Sequence, residues 1–272
     1  MNIDLTGKTA LVTGSTQGIG YAIAEGLAGS GARVAVNGRS ADRVAEAVAT
    51  LSKSGADVFG VAVDVSTEEG VEQLVTELPT VDILVNNLGI FGAIPAREIT
   101  DGQWRNYFEV NVLAAVRLIR TYLPGMIDKH WGRAIQIASD SAIVIPEEMI
   151  HYGVSKTALL AVSRGFAKDA AGTGVTVNSV IAGPTHTAGV EDFVYELVDK
   201  SSGASGATGE RLSWDDAQRE FMRKHRPQSL LQRLIEPEEI ANMVTYLASP
   251  LSSATTGGAL RVDGGYVDSI LP

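Results

Sequence analysis

A tyrosine and a lysine, four residues apart, are the side chains whose types and spacing best suit proton-transfer chemistry. They are Tyr152 and Lys156, and apolar residues follow at helical spacing from Ala158 to Ala167. Residues four apart share one face of a helix, so the phenol and the ammonium project the same way. Because a nearby positive charge favours a phenolate, we expect Lys156 to lower the pKa of Tyr152 from about 10 toward neutrality. Tyr152 could then exchange a proton with a carbonyl or alcohol oxygen.

A serine lies just before this segment, at the end of an apolar run. The run from Arg133 to Ala138 is typical of a strand, and Ser139 follows it. Ligands of open α/β sheets bind at the carboxyl ends of strands, which is where the Ser139 hydroxyl is expected. A Tyr and a Lys at this spacing also occur by chance on many solvent-facing helices, so the interpretation depends on the rest of the chain.

A glycine-rich turn near the N-terminus predicts nucleotide binding. The strand-like run Thr9-Ala10-Leu11-Val12 leads into TGSTQGIG and then into a helical pattern. The glycines let the backbone approach a pyrophosphate, and the helix N-terminus offers free amides and a positive dipole end. The predicted cofactor contacts in this turn are Gly14, Ser15, Thr16, Gln17, Gly18, Ile19 and Gly20.

The end of the second predicted strand bears on the choice of dinucleotide. An acidic residue there would bond a free ribose 2′-hydroxyl, but the strand ends in Asn37, Gly38 and Arg39. Arg39 can pair with a 2′-phosphate, so the pattern favours NADP(H), with NAD(H) still possible. The alternative is that Arg39 is a solvated residue at a helix entry.

Strand and helix patterns alternate along the chain and predict the fold class. We expect an α/β fold with a Rossmann-type, doubly wound parallel sheet of about seven strands and helices on both faces. A third strand ends at Asp64 and Val65, which are expected to border the adenine, and a fourth ends at Asn87 and Gly89. No repeat or linker is visible, so residues 1–272 are interpreted as one domain.

Two long segments complete this pattern. A helix is expected from Asp101 to about Met126, interrupted by Pro124, and it contains Asn111.

Residues 188–228 break the alternation of strands and helices and are interpreted as a substrate lid, with a disordered surface excursion as the alternative. Within it, 200–210 is flexible by composition, between helices at about 193–198 and 213–224. Its apolar and aromatic side chains suggest an apolar or medium-sized substrate, or packing of the lid: Phe193, Tyr195, Leu197, Trp214 and Phe221.

Composition excludes several classes of function. The chain has 272 residues, a net charge of −10 and no cysteine, which argues against nucleic-acid binding and rules out thiolate chemistry. We find neither a signal-peptide pattern nor a long apolar run, and expect a cytoplasmic protein that does not bind membranes. The four histidines show no ligand spacing, so no metal site is expected, although His186 could face substrate.

Taken together, the motifs resemble those of the short-chain dehydrogenase/reductase family, in its short single-domain branch, and are similar to 3-oxoacyl-ACP-reductase-like oxidoreductases. The resemblance covers nearly the whole chain. It rests on TGSTQGIG at 13–20, NNLG at 86–89 and TTGGALRVDGG at 255–265, and on four positions that match the family's catalytic tetrad: Asn111, Ser139, Tyr152 and Lys156.

The resemblance implies a role for each of these residues. Tyr152 would be the general acid/base, Lys156 would lower its pKa and hold the nicotinamide ribose, and Ser139 would bond the substrate oxygen. Asn111 would position a water in a proton relay ending at Lys156. The turn after the sixth strand would clamp the cofactor through Gly183, Thr185 and Thr187. The expected activity is NAD(P)-dependent interconversion of a carbonyl and a secondary alcohol, by a homotetramer acting on a small molecule.

Three positions depart from the family pattern. Leu88 replaces the small residue of the NNAG signature, Ala182 stands where a proline usually precedes Gly183, and Gln17 stands where NADPH-preferring relatives often have Arg or Lys.

Two other functions are considered. The chain could be a catalytically silent dinucleotide-sensing protein on the same fold. A sugar-nucleotide epimerase or dehydratase is a third interpretation, which usually needs a longer C-terminal substrate domain.

Overall fold

Seven parallel strands form a single sheet in the computed structural model, which describes residues 2–202 and 212–270. The order across the sheet is β3-β2-β1-β4-β5-β6-β7, and every neighbouring pair is parallel. This confirms the predicted doubly wound sheet. The strands are β1 (Thr9–Val12), β2 (Arg33–Gly38), β3 (Val58–Ala62), β4 (Ile83–Asn86), β5 (Gly132–Ser139), β6 (Val175–Ala182) and β7 (Ala259–Val262).

The helices cover both faces of this sheet. In chain order the structure describes α1 (Gly18–Gly29), α2 (Ala41–Leu51), α3 (Glu68–Glu77), α4 (Asp101–Phe108), α5 (Ala114–Asp128), α6 (Ile150–Asp169), α7 (Ala188–Ser202), α8 (Trp214–His225) and α9 (Pro237–Ala248). Apolar residues of α1, α2 and α9 form one core cluster with the sheet, and those of α3 and α5 form a second. Val12 of β1 belongs to the first cluster and its neighbour Leu11 to the second, because the side chains of a strand point alternately to the two faces of the sheet.

The direction of strand addition reverses between β1 and β4, and this reversal positions the site. The loops that leave these two neighbouring strands diverge, which opens a crevice at their carboxyl ends. Asn87, just after β4, holds the two loops together across the crevice. Its Nδ2 donates to the carbonyl oxygens of Thr13 at 2.9 Å and Gly14 at 3.1 Å.

The predicted helix from Asp101 to about Met126 has its interruption in a different place. The helix continues through Pro124, which lies on the exposed side of α5. The irregularity is instead a π-helical turn, Glu109–Leu113, between α4 and α5, and it contains Asn111. Such turns insert one extra residue and often mark functional sites.

The stretch Asp101–Asp128 is, by length and composition alone, long and apolar enough to cross a bilayer. Half of the most apolar part of this stretch is buried inside the protein, and Leu118, Ile119 and Tyr122 are only 1–3% exposed. The Tyr122 hydroxyl donates to the carbonyl oxygen of Leu78 at 2.8 Å. These contacts are those of a core helix that packs against the sheet.

Helices α7 and α8 of the 188–228 segment pack on each other through a small core of their own. Its fully buried members are Val194, Val198, Ala217, Phe221, Met222 and Leu234. At its base, Thr185 and Ile235 pair as an isolated parallel bridge. Helix α7 is longer than the predicted helix at 193–198 and includes residues 200–202, whereas α8 is shifted by one residue from the predicted 213–224. The rest of the predicted flexible stretch, 203–210, lies outside the described residues.

Candidate active site

Three of the four predicted catalytic residues line one cavity of about 930 Å³ at the carboxyl edge of the sheet. Ser139 is the last residue of β5, and Tyr152 and Lys156 lie one turn apart near the start of α6. The ring of Phe91, 6.5 Å from the ring of Tyr152, forms part of the cavity wall. The strand end and the neighbouring helix thus bring together residues that the sequence separates by 17 positions.

The acidity of Tyr152 differs from the expectation. The pKa of Tyr152 is raised to about 12: burial raises it most, a hydrogen bond with Ser139 opposes the rise, and the charge of Asp140 adds to it. Lys156 Nζ lies 5.8 Å from the centre of the Tyr152 ring. The expected lowering of the Tyr152 pKa by Lys156 is therefore wrong for this structure, because desolvation of the phenolate outweighs the charges nearby. A raised pKa keeps the phenol protonated, as donation to a carbonyl oxygen requires.

Lys156 is buried, and its ammonium is held on the backbone. Only 4% of Lys156 is exposed, and its Nζ donates to the carbonyl oxygen of Ile137 at 2.8 Å. Burial lowers the pKa of Lys156 to about 8. Lys156 can therefore change its protonation state near neutral pH, which suits a member of a proton relay.

Asn111 lies behind the cavity and joins three segments. Its Nδ2 donates to Ser155 Oγ at 2.9 Å and to the carbonyl oxygen of Ile90 at 3.0 Å, and its Oδ1 accepts from the Ile90 amide at 2.8 Å. A Cβ at Gly89 would lie 3.4 Å from Asn111 Oδ1 and 3.3 Å from Lys156 Nζ. Asn111 and Lys156 thus approach the same glycine from two sides. The predicted water relay between them stays a prediction.

The glycine turn packs tightly against its surroundings. A Cβ at Gly20 would lie 2.5 Å from both Asn87 Nδ2 and the carbonyl oxygen of Gly14, closer than real side chains come. Gly18 has a φ of +57°, and a Cβ there would meet Thr187 at 3.1 Å. Glycine is required at these two positions, because the turn lies directly against the loops after β4 and β6.

Two predicted cofactor residues, Ser15 and Asn37, have side chains that brace the turn from inside. Ser15 Oγ donates to the carbonyl oxygen of Val12 at 2.7 Å and accepts from the amide of Asn37 at 3.0 Å. Asn37 Nδ2 donates to the carbonyl oxygens of Val61 and Val63 at 3.0 and 3.1 Å. These contacts link β2 to β3 beneath the predicted adenosine site.

A second cavity, of about 850 Å³, holds most of the predicted adenosine contacts. Its predicted wall residues are Gly14, Thr16, Gln17, Asn37, Arg39, Asp64, Val65, Asn87 and Gly89. Its wall also includes residues that the sequence analysis did not assign to the site: Gly38, Ser40, Arg43, Val63 and Leu88. Arg43 lies in the first turn of α2, three residues after its N-cap Ser40, and this place beside Arg39 is the signal that could have identified it.

The two cavities share part of their walls, so they form one trough. Asn87 and Gly89 line both of them. At the end near Tyr152 the wall also contains four other predicted cofactor residues, Ile19, Gly183, Thr185 and Thr187. A trough that runs from a pair of arginines to a tyrosine suits an elongated dinucleotide, with its reactive ring beside the phenol.

Several side chains around the substrate end were not identified from the sequence. Asp140, Met149 and Arg226 line the cavity, beside Phe193 and Phe221 of the predicted lid. His186, by contrast, is absent from the described cavity wall. Its ring stacks on Trp214 at 5.1 Å, with carboxylates of Glu191 and Glu236 within 4.0 Å, and these contacts do not support the possibility that it faces substrate.

Comparisons with known proteins agree with this geometry. A family model described as short chain dehydrogenase matches residues 8–196, and one described as enoyl-(acyl carrier protein) reductase matches residues 207–267. The chain is 49% identical to the uncharacterized oxidoreductase YvaG of Bacillus subtilis (strain 168), over 99% of this chain and 100% of the relative. It is 33% identical to the 3-oxoacyl-(acyl-carrier-protein) reductase FabG of Aquifex aeolicus (strain VF5), over 97% and 99% of the two chains.

Solved structures give the same result. The chain is similar to L-sorbose reductase from Gluconobacter frateurii, which was solved in complex with NADPH and L-sorbose. The TM-score is 0.89 and the sequence identity 33%, over 99% of this chain and 100% of that one.

Proposed function

The chain belongs to the short-chain dehydrogenase family, and we propose that Tyr152 is its general acid/base, that NADPH is its preferred cofactor and that its substrate is an uncharged ketone. The chain is an NAD(P)-dependent oxidoreductase that interconverts carbonyl and alcohol groups. The proposal rests on one observation above all: Ser139, Tyr152 and Lys156 share a cavity that continues into the trough over the glycine turn. The comparisons give no support to a catalytically silent alternative.

The proposed proton chemistry follows from the positions of the side chains. A substrate carbonyl oxygen lies between Ser139 Oγ and the Tyr152 hydroxyl, and accepts a hydrogen bond from each. When bound, the nicotinamide supplies the hydride for the carbonyl carbon. Tyr152, protonated because its pKa is raised, gives its proton to the oxygen as charge develops there. Lys156 and a water held by Asn111 return a proton to Tyr152.

The preference for NADPH is supported by the charge at the far end of the trough. Arg39 and Arg43 both line the cavity there, beside the N-terminus of α2. Ser40 caps this helix and accepts a hydrogen bond from the Arg43 amide. Arg39 is 3.9 Å from Asp64, but this pair is exposed and leaves the guanidinium available. Two arginines and a helix N-terminus suit a 2′-phosphate.

A titration of the protein with NADPH and NADH, followed by fluorescence, tests this preference. We expect NADPH to bind at least tenfold more tightly, about 1.4 kcal/mol, and expect Arg39→Ala and Arg43→Ala each to reduce that advantage. Arg105→Ala, which removes an exposed arginine on α4, is the matched control. Equal affinity for the two cofactors, or an advantage that survives in the double variant, would contradict the proposal.

An uncharged substrate is supported by the side chains around the substrate end of the cavity. Its apolar wall includes Phe91, Phe193 and Phe221, and the guanidinium of Arg226 is paired with Asp140. Lys156 is held on a backbone carbonyl. Both cations of the described wall, Arg226 and Lys156, thus already have a partner within the protein.

Substrate charge can be tested directly with NADPH and a small panel of ketones. L-sorbose and acetophenone are uncharged, and acetoacetate is an anion of smaller size. We expect a higher kcat/KM for at least one uncharged ketone than for acetoacetate, and expect Phe193→Ala to raise KM for that ketone. A clear preference for acetoacetate would overturn the proposed substrate class and leave the reaction class in place.

Three further predictions remain part of the proposal. They are that residues 1–272 form one dinucleotide-binding domain with a substrate lid at 188–228, that the protein is a cytoplasmic homotetramer, and that it binds neither membranes nor nucleic acid. The family resemblance supports the assembly. Light scattering after size exclusion would test it, with an expected mass four times that of the chain.

A further inference from the structure

A carboxylate and a guanidinium face each other at the substrate end of the cavity, outside the predicted tetrad. Asp140 Oδ2 and Arg226 Nε are 3.7 Å apart, with their side chains 4% and 10% exposed. Neither atom has a hydrogen-bond partner among the described residues, and both residues line the cavity. Charges this deeply buried are costly unless they are paired, so each depends on the other.

The second oxygen of Asp140 acts on the proposed catalytic serine. Ser139 Oγ donates to Asp140 Oδ1 at 3.0 Å and accepts from the amide of Ser141 at 3.1 Å. A hydroxyl has one proton to donate. While Asp140 holds that proton, Ser139 cannot give it to a substrate oxygen. The charge of Asp140 therefore affects whether the Ser139 hydroxyl can donate a hydrogen bond to a substrate in the cavity.

Arg226 reaches this point from the lid. It follows the last residue of α8, and its guanidinium lies 5.7 Å from the ring of Phe221 and 4.9 Å from the ring of Tyr266. Its Nη1 donates to the carbonyl oxygen of His225 at 2.8 Å. Because Phe221 belongs to the core of the lid, the position of the guanidinium depends on how α8 packs.

We propose that Arg226 is a positioning residue that acts through Asp140. By attracting the Asp140 carboxylate, it weakens the hold of Asp140 on the Ser139 proton and leaves that proton available to the substrate carbonyl oxygen. As a result, the packing of the lid affects how readily Ser139 can donate its proton to the substrate. This inference rests on the proposed roles of Ser139 and Tyr152.

The electrostatics of the site act in the same direction. Burial raises the pKa of Asp140, and the charge of Arg226 opposes this rise. The charge of Asp140 also raises the pKa of Tyr152, and Arg226 again opposes it. Other titratable groups near the pair are Tyr107, Glu148, Lys156, His225 and Tyr266. Without Arg226, Asp140 would ionise at higher pH and would then hold the Ser139 proton unopposed.

The test is a double-mutant cycle at Asp140 and Arg226, measured with NADPH and the best ketone of the panel. We expect Arg226→Met to lower kcat at least tenfold at pH 8, and expect the same change in an Asp140→Asn background to have less than a threefold effect. In Arg226→Met, kcat should also fall with rising pH as Asp140 ionises, over a range where the wild type is level. Arg223→Met, an exposed change on α8, is the matched control.

Arg226→Lys distinguishes charge from packing, and it also serves if Arg226→Met does not fold. We expect Arg226→Lys to keep the wild-type pH profile with kcat within about threefold. Equal effects of Arg226→Met in both backgrounds, or a loss in Arg226→Lys as large as in Arg226→Met, would overturn the inference. If Arg226→Met does not fold, the Arg226→Lys profile decides. A wild type that reduces no ketone would refute the proposed substrate class instead.

Discussion

Asn111 Nδ2 donates a hydrogen bond to Ser155 Oγ, which in turn donates to the carbonyl oxygen of Tyr152 at 2.7 Å. The π-helical turn is thereby joined to the first turn of α6, beside the phenol itself. Asn111 thus has a structural function in addition to its proposed one, because it fixes the helix that carries Tyr152 and Lys156.

Replacement of Asn111 by alanine is expected to reduce both stability and turnover. Ser155 and the partly buried amide and carbonyl of Ile90 would lose their partner, which costs about 1–3 kcal/mol in the free energy of unfolding. Denaturant unfolding and kcat measure the two effects. Asn106→Ala, at an exposed position of α4, is the control and should change neither. Unchanged stability in Asn111→Ala would show that these hydrogen bonds contribute little.

Loss of the Tyr152 hydroxyl should stop chemistry and leave cofactor binding intact. We expect Tyr152→Phe to lower kcat by about 10²–10⁴, the usual contribution of a positioned proton donor. NADPH affinity, measured by fluorescence, should stay at the wild-type value. Tyr246→Phe, on α9, removes a hydroxyl of a residue outside the described cavity wall and should retain activity. Turnover in Tyr152→Phe close to the wild-type rate would refute the assignment.

Lys156 makes the stability of the protein depend on pH in a predictable direction. Its pKa is lowered by burial to about 8, from 10.5 for a free lysine. Between these values the unfolded chain binds more protons than the folded one, so this lysine makes the free energy of unfolding rise with pH. The cost of burying the charge is greatest below pH 8.

Lys156→Met should therefore abolish turnover and raise the free energy of unfolding at pH 7, by on the order of 1 kcal/mol or more. Urea unfolding at pH 7 and pH 9.5 measures this gain, which should shrink at the higher pH. Lys168→Met changes an exposed lysine of the same helix and sets the baseline. A variant that is less stable than this control at pH 7 would contradict the pKa argument.

The close packing of Gly20 predicts a strong effect from a single methyl group. Gly20→Ala would force apart Asn87 and the backbone of Gly14, at a cost of about 1–3 kcal/mol in stability. NADPH affinity should fall with it, because the turn would move. Gly29→Ala, in the same helix, meets no atom within 4 Å and should be neutral or stabilising by about 0.5–1 kcal/mol. Thermal melting compares the two, and equal melting temperatures would disprove the packing argument.

Local sequence pattern was sufficient to predict the sheet and most of the trough. Strand runs such as the one ending at Val12 are short, apolar and followed by glycine, and parallel strands place their carboxyl ends at one edge. Residues at those ends, Ser139 and Asn87 among them, had to meet once the strand order was fixed.

The parts that the sequence did not predict depend on contacts between distant segments. Arg226 meets Asp140 only because α8 folds back over the cavity, and no local spacing encodes that approach. The acidity of Tyr152 was mispredicted for a related reason. The i, i+4 spacing shows that Lys156 is near Tyr152. It does not show that the phenol is buried from solvent, or that the ammonium donates to the carbonyl oxygen of Ile137.

The bridge between Thr185 and Ile235 joins the two ends of the segment that contains α7 and α8. The His186 amide donates to the carbonyl oxygen of Ile235 at 2.8 Å, and the Ile235 amide donates to that of Pro184 at 2.9 Å, so two backbone hydrogen bonds hold these ends together. The seven strands lie outside this segment, so a different insert grafted between its ends would leave the strands in place and would replace Phe193, Phe221 and Arg226 in the cavity wall. A change in this one segment could thus alter substrate specificity, provided that the new segment places a positive charge beside Asp140, as Arg226 does here.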